Sequence, residues 1–404
     1  MNEQIRQQFP ALKRLHNGQP LIFLDGPGGT QVPESVIDAV SNYYRQSNAN
    51  SHGAFITAQE TDVVLDNCRS HMATLLNAPS AKQISMGQNM TSLNYSLAKA
   101  IGRILQAGDE ILITQLDHEA NRGPWLSLRE HGIIVKEIKL LPEGVLDYDD
   151  LAQKLNHRTR LVAIGLSSNI IGTVNDIPRV RKMTHEAGAW LMLDAVHYAP
   201  HFPIDVQALG CDFLICSAYK FYGPHVGILY CKEGLLDRLQ PDRLRTTDQY
   251  APYSIETGTL NHAAIAGVSA AVDFLASIGQ GDTLRAQIVD AMQRIQKHEH
   301  ALAVQLYDGL ASIRGIQIYG QSMHAPLRAP TISFTTMGKT PASICQYLAK
   351  ANICAWDGHF YAIRATEVLG LLEKGGLTRM GISVYTTAEE IEKTLIAVEK
   401  VTQP

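Results

Sequence analysis

The segment Leu191–Tyr230, LMLDAVHYAPHFPIDVQALGCDFLICSAYKFYGPHVGILY, holds two apolar runs that each lead into a charged residue. Asp194 closes Ala189-Trp190-Leu191-Met192-Leu193, and Lys220 follows Phe213-Leu214-Ile215-Cys216-Ser217-Ala218-Tyr219. Both runs have the length and composition of strands. As parallel neighbours they release Asp194 and Lys220 at one sheet edge, where open α/β folds collect their ligands. Two readings are open at this point. The pair is an ordinary strand-end Lys with a surface Asp, or it is the couple that pyridoxal phosphate chemistry needs. In the second case the Lys supplies the Schiff base and the Asp keeps the pyridinium nitrogen protonated.

Upstream, strand-like and helix-like segments alternate. Glu110–Thr114, Ile133–Ile138 and Thr159–Leu166 read as strands, and Gly123–His131, Tyr148–Leu155 and Pro178–Glu186 as helices. Repeated β-then-α units predict a mostly parallel sheet covered by helices on both faces. Gln83-Ile-Ser85 is a short strand, and Met86–Ser92 leads it into a helix over Leu93–Leu105. That arrangement makes either a phosphate cradle at a helix N-terminus or a plain cap by Asn89, Thr91 or Ser92. Pro20–Asp25 reads as a strand running into the turn cluster Gly26-Pro-Gly-Gly29. After about residue 260 the pattern changes to long helices and short strands, including Ile316–Tyr319, Thr331–Thr335, Ile353–Trp356 and Gly381–Val384. Thr386–Val401 closes the chain as a helix, and Asn2–Leu15 is a weak amphipathic helix. The expected division is a large domain over 18–262 and a smaller α+β domain over 263–404, with 1–17 packing on the latter.

A length of 404 residues exceeds a single small core. A formal charge of −4 spread over that length offers no basic surface for nucleic acid or anionic membrane. The six cysteines show no metal-ligand spacing and no disulfide framework, so no metal is expected and a reducing cytoplasm is the expected location. No leader-like or membrane-spanning apolar run is seen.

Several separated pieces resemble one family. The chain is similar to the class V aminotransferase group of fold-type I pyridoxal phosphate enzymes, in its cysteine desulfurase-like branch. Cys216-Ser-Ala-Tyr-Lys220-Phe-Tyr-Gly-Pro224 resembles the family's Schiff-base segment, and Asp194-Ala-Val-His197 its ring-nitrogen segment. Ser167-Ser-Asn169-Ile-Ile-Gly172-Thr173 and Glu256-Thr-Gly-Thr259-Leu-Asn261 agree as well. The resemblance implies the cofactor pyridoxal 5'-phosphate. It implies that Lys220 forms the imine, Asp194 meets the ring nitrogen, and His197 and Asn169 contact the phenolic oxygen. His118 stacks on the ring. Ser217, Tyr219, Asn89, Met90 and Thr91 hold the phosphate, and Thr259 reaches the phosphate of a second subunit in a homodimer. Arg379 is implied as the substrate-carboxylate partner, a role that suits a planar guanidinium. His52 and His359 match positions beside the substrate.

One loop departs from the family pattern. In Trp356-Asp-Gly-His-Phe-Tyr361, Tyr361 stands where desulfurases carry their nucleophilic Cys, and Trp356 stands where they carry an Arg. A phenol cannot accept sulfur as a persulfide. The expected activity is therefore β-elimination on a sulfur- or otherwise β-substituted amino acid. The alternatives are an amino-acid epimerase, in which Tyr361 is a candidate second acid, an aminotransferase and a non-catalytic scaffold.

Overall fold

The computed structural model describes residues 3–402. Met1, Asn2, Gln403 and Pro404 lie outside the described residues, Asn2 with the first position of the expected N-terminal helix.

A seven-stranded sheet forms the larger layer. Its strands are β1 (Ile84–Gly87), β2 (Glu110–Thr114), β3 (Ile134–Ile138), β4 (Thr159–Gly165), β5 (Trp190–Asp194), β6 (Phe213–Ser217) and β7 (Gly227–Cys231), in the order β1-β7-β6-β5-β4-β2-β3. The pairs from β6 through β3 are parallel. β7 runs antiparallel to both β6 and β1. Successive strand residues point to opposite faces. Leu112, Val162, Leu193 and Leu214 enter one apolar cluster, while Ile113, Ala163, Met192 and Phe213 enter the other. Burial on both faces explains the unbroken apolar runs.

The first cluster also takes Met72 and Leu76 of helix Ile56–Leu76 and Val268 and Val272 of helix His262–Ile278. The boundary expected at 262/263 thus falls in the first turn of a helix whose apolar face packs on the larger layer. The second cluster takes Leu93, Leu97 and Ile101 of helix Met90–Gly102.

A four-stranded antiparallel sheet forms the smaller layer. Its strands are β8 (Ile316–Tyr319), β9 (Thr331–Thr336), β10 (Trp356–Gly358) and β11 (Leu377–Gly381), in the order β8-β9-β11-β10. Two expectations change here. The strand read over Ile353–Trp356 divides: Ile353–Cys354 pairs in parallel with Ile22–Phe23, and β10 pairs with β11. The strand read over Gly381–Val384 lies earlier, at Leu377–Gly381, because Ser383–Thr386 closes a turn.

The N-terminal segment also differs from the reading of one helix. A single turn spans Glu3–Arg6, and a 3-10 turn spans Pro10–Lys13. Pro10 has no N–H to continue a helix. The segment is held from both layers. Arg6 binds the Glu390 carboxylate at 2.6 Å, and Phe9 packs edge-on against Tyr222, Phe274 and Tyr385.

Candidate active site

Parallel pairing of β5 with β6 places Asp194 opposite Ile215. β6 ends at Ser217, two residues short of the expected strand, and a 3-10 turn over Ala218–Lys220 carries the lysine across the strand end. The Nζ of Lys220 donates to the carbonyl of Pro27. Lys220 is buried; burial, with the Arg379 charge adding to it and Asp194 partly opposing, lowers its pKa to about 7. Asp194 moves the other way. Burial, with neighbouring Asp117 adding to it and the Val196 N–H at 2.8 Å and the Lys220 charge opposing, raises its carboxyl to about 7. A buried amine and a buried acid that both titrate near neutrality mark a functional site more often than a structural ion pair.

The other end of the site is a helix N-terminus. Asn89 caps the helix Met90–Gly102, its Oδ1 accepting from the Ser92 N–H at 2.9 Å. The first N–H of that helix, at Met90, donates to Ser217 Oγ at 2.9 Å, so the cap and the β6 end meet. Gly227 allows this approach. A Cβ there would lie 2.3 Å from the Asn89 carbonyl carbon. β7, not foreseen as a strand, is therefore the spacer that holds cradle and lysine strand together.

A cavity of about 830 Å³ joins these groups. Lys220, Asp194, His197, Asn169, His118, Ser217, Tyr219, Asn89, Met90, Thr91, Arg379, His359 and Tyr361 all line it. His197 Nε2 lies 3.0 Å from Thr331 Oγ1, while its buried Nδ1 has no partner. Burial holds this imidazole neutral, its pKa well below the ordinary value. His118 Nδ1 accepts from the Ala120 N–H at 2.9 Å, which places the proton of the neutral ring on Nε2. Burial, with Lys220 and Arg379 nearby, lowers that ring's pKa to about 4.

Arg379 lies on β11, buried, with its guanidinium 4.1 Å from the centre of the Phe360 ring. It donates to the Asn169 carbonyl at 2.9 Å, and its Nε has no partner. Burial lowers its pKa to about 9, which still leaves a cation at neutral pH. Asn169 Nδ2 donates to the Phe360 carbonyl at 2.8 Å. Phe360 and Tyr361 both adopt positive φ, at 51° and 57°, so the loop turns sharply and sets the Tyr361 ring 5.5 Å from that of His118. A non-Gly pair in this region is a strained arrangement of the kind that collects at functional sites.

Two expected residues stand outside the cavity of their own chain. Thr259 is exposed. His52, also exposed, sits 3.4 Å from Asp62, so within this chain its expected place beside the substrate is not formed.

Three contributors were missed in the sequence. Asp117 is fully buried and lines the cavity, with the Gly165 N–H on Oδ1 and Asn121 on Oδ2, both at 3.0 Å; burial raises its pKa to about 6. Its place immediately before His118 was the available signal, but a loop Asp is ordinarily exposed. The Gly26–Gly29 cluster, read only as a turn, supplies the acceptor for Lys220. Phe360 forms the face under Arg379.

All six cysteines are among the described residues, and none lines the cavity. Burial pushes the thiols of Cys68 and Cys345 up to about 12 and that of Cys354 to about 11, and those of Cys211, Cys216 and Cys231 upward as well.

These residues fit pyridoxal phosphate. Lys220 offers an amine that loses its proton near pH 7, and Asp194 a carboxyl that a buried ring cation would ionise. The unpartnered His197 Nδ1 and Ser167 Oγ await a polar group, and the helix end with Ser217 suits a phosphate.

The class-V aminotransferase family profile matches residues 22–394. A cysteine desulfurase of Pectobacterium atrosepticum is 32% identical over 416 residues, spanning 99% of this chain and 97% of that protein. The crystal structure of a cysteine desulfurase from Escherichia coli superposes with a TM-score of 0.87 at 30% identity, over 99% of this chain and 98% of its own. A cysteine desulfurase from Thermococcus onnurineus gives 0.89 at 25% identity, over 100% and 98%.

Proposed function

This chain belongs to the class-V aminotransferase family as a cysteine desulfurase-like enzyme that uses pyridoxal 5'-phosphate, and from that premise we propose that it is a β-eliminating C–S lyase. Its substrate is an amino acid that carries a sulfur or other leaving group on Cβ. The observation that carries the reading is the absence of any thiol from the cavity, where Tyr361 occupies the loop tip. A desulfurase must pass sulfur to a thiolate. Elimination needs no such acceptor, because the sulfur leaves as a thiol or sulfide.

Bound pyridoxal phosphate supplies an electron sink that makes the Cα–H bond of an amino acid acidic. The chain's own groups do the rest. The Arg379 guanidinium takes the α-carboxylate, and Lys220, neutral near pH 7, takes the Cα proton. Asp194 holds the proton of the ring nitrogen. The Tyr361 phenol, beside His118 at the mouth, protonates the departing sulfur. The unit is a homodimer with composite sites, and the exposed place of Thr259 outside its own cavity supports that arrangement. The cytoplasm is the proposed compartment, in keeping with six free thiols. No helix among the described residues is long and apolar enough to cross a membrane.

The test is incubation of the holoenzyme with a panel of amino acids. Pyruvate with sulfide or thiol is the expected product. Alanine without keto acid identifies desulfuration instead, and exchange of the Cα proton without net product identifies epimerisation.

A further inference from the structure

The substrate's side chain meets an aromatic entrance. In the antiparallel pairing of β10 with β11, Trp356 lies directly opposite Arg379, so the two side chains leave the same face of the small sheet. The indole reaches the Gly26–Gly28 turn, where a Cβ on Gly28 would lie 2.7 Å from Trp356 Nε1. The neighbouring Pro27 carbonyl holds Lys220. One aromatic side chain therefore spans the space between the carboxylate partner and the reactive amine. Trp356 is 52% exposed and Tyr361 68% exposed, although both line the cavity, whereas Arg379, Asp194, His197 and Lys220 are buried. The uncovered aromatic surface is thus on the solvent side of the reacting groups. Tyr95 adds a half-exposed ring across the mouth.

The charges around this mouth narrow the choice further. Among the described residues, Lys220 and Arg379 are the only lysine or arginine side chains that line the cavity, and both have assigned tasks. Asp357, the next residue on β10, points to the opposite face, where its carboxylate meets Cys345 and not the cavity. A second carboxylate on the substrate would find no free cation contributed by this subunit. A neutral planar or apolar group would cover exposed ring surface.

We infer that Trp356 is a specificity-determining residue, and that the enzyme selects amino acids whose β-substituent is a bulky, uncharged aromatic or apolar thioether. This rests on the elimination reading and names its substrate class. For an S-benzyl cysteine the step balances with one water. The Cα proton goes to Lys220, the Cβ–S bond breaks with its electron pair on sulfur, and the sulfur takes a proton to leave as benzyl thiol. The three-carbon remainder takes up water and gives pyruvate and ammonium. No oxidant or reductant is consumed.

The experiment compares S-benzyl-L-cysteine, L-cysteine and S-carboxymethyl-L-cysteine with the holoenzyme, reading Kd from the change in cofactor absorbance and turnover from pyruvate. The benzyl substrate is expected to bind about tenfold more tightly than either of the others, on the scale of one aromatic pair with its buried area. Trp356→Ala should reduce that preference to within about twofold, and Trp356→Phe should keep most of it. Equal binding of the three amino acids by the unaltered enzyme, or a preference that survives Trp356→Ala, overturns the inference. Selective binding that depends on Trp356 but yields no pyruvate sustains the inference and sinks the lyase reading instead.

Discussion

The main-chain N–H of Glu119 donates to the carbonyl of Tyr361 at 2.7 Å. This bond ties the loop that follows β10 of the small sheet to the segment that carries His118 on the large one. His118 and the residue at the loop tip are thus positioned together. A change in the loop is felt at His118 as well as at the mouth.

Tyr361 is the first residue to test. Tyr361→Phe keeps the ring against His118 and removes only the hydroxyl. If the phenol protonates the departing sulfur, kcat for pyruvate formation should fall about 10²-fold, with KM little changed. Undiminished turnover would remove Tyr361 from the catalytic groups.

The lysine makes a pH prediction. Its folded-state pKa is lowered from 10.5 to about 7, so the neutral amine that forms an imine becomes available as pH rises through about 7. The rate at which the apoprotein takes up pyridoxal phosphate should rise with a midpoint near 7. Because the Arg379 charge is part of the cause, Arg379→Ala should move the midpoint upward. The apoprotein should also gain stability as pH rises from about 7 towards 10.5, since across that window the unfolded chain holds the Lys220 proton and the folded chain does not. Lys220→Ala should leave no visible imine band on adding the cofactor.

Asp194→Asn keeps the shape and removes the charge that a protonated ring nitrogen needs. Turnover should drop about 10²- to 10³-fold, the scale of losing one aimed electrostatic group. Cofactor binding, measured by equilibrium dialysis, should fall far less.

Arg379→Ala should raise KM about 10- to 100-fold, the worth of a charge-assisted hydrogen-bonded contact. Arg379→Lys should recover only part of this, because a point charge does not match the fork of a guanidinium. Steady-state kinetics on one substrate separates the two variants.

The oligomer prediction is independent of the chemistry. Light scattering should give a mass twice that of the 44.4 kDa chain. Thr259→Ala should weaken cofactor retention although Thr259 lies outside its own cavity. A monomeric holoenzyme with full activity would remove the composite-site reading.

Much of the site was legible because its residues sit at strand ends. Asp194 and Lys220 follow apolar runs that only a doubly buried sheet requires, and parallel pairing delivers both to one edge. A helix after the short strand was legible, with Asn89 one of three cap candidates, but the helix starts at Met90 and not at Leu93. Asp117 was not, because its burial depends on the Gly165 N–H and Asn121 closing around it from other segments. The shift of a small-sheet strand to Leu377–Gly381 was hidden for a related reason. Short strands of mixed composition take their bounds from their partners, here β9 and β10.

The sequence by itself determined the alternation of buried strands and covering helices and the placing of Asp194 and Lys220 after two apolar runs. These follow from local pattern and residue identity. The tertiary structure alone decided the shifts of Lys220, Asp194 and His118 away from their ordinary pKa values, because desolvation and distant charges cause them. It alone brought Trp356 opposite Arg379, since strand register couples residues that the chain keeps 23 apart.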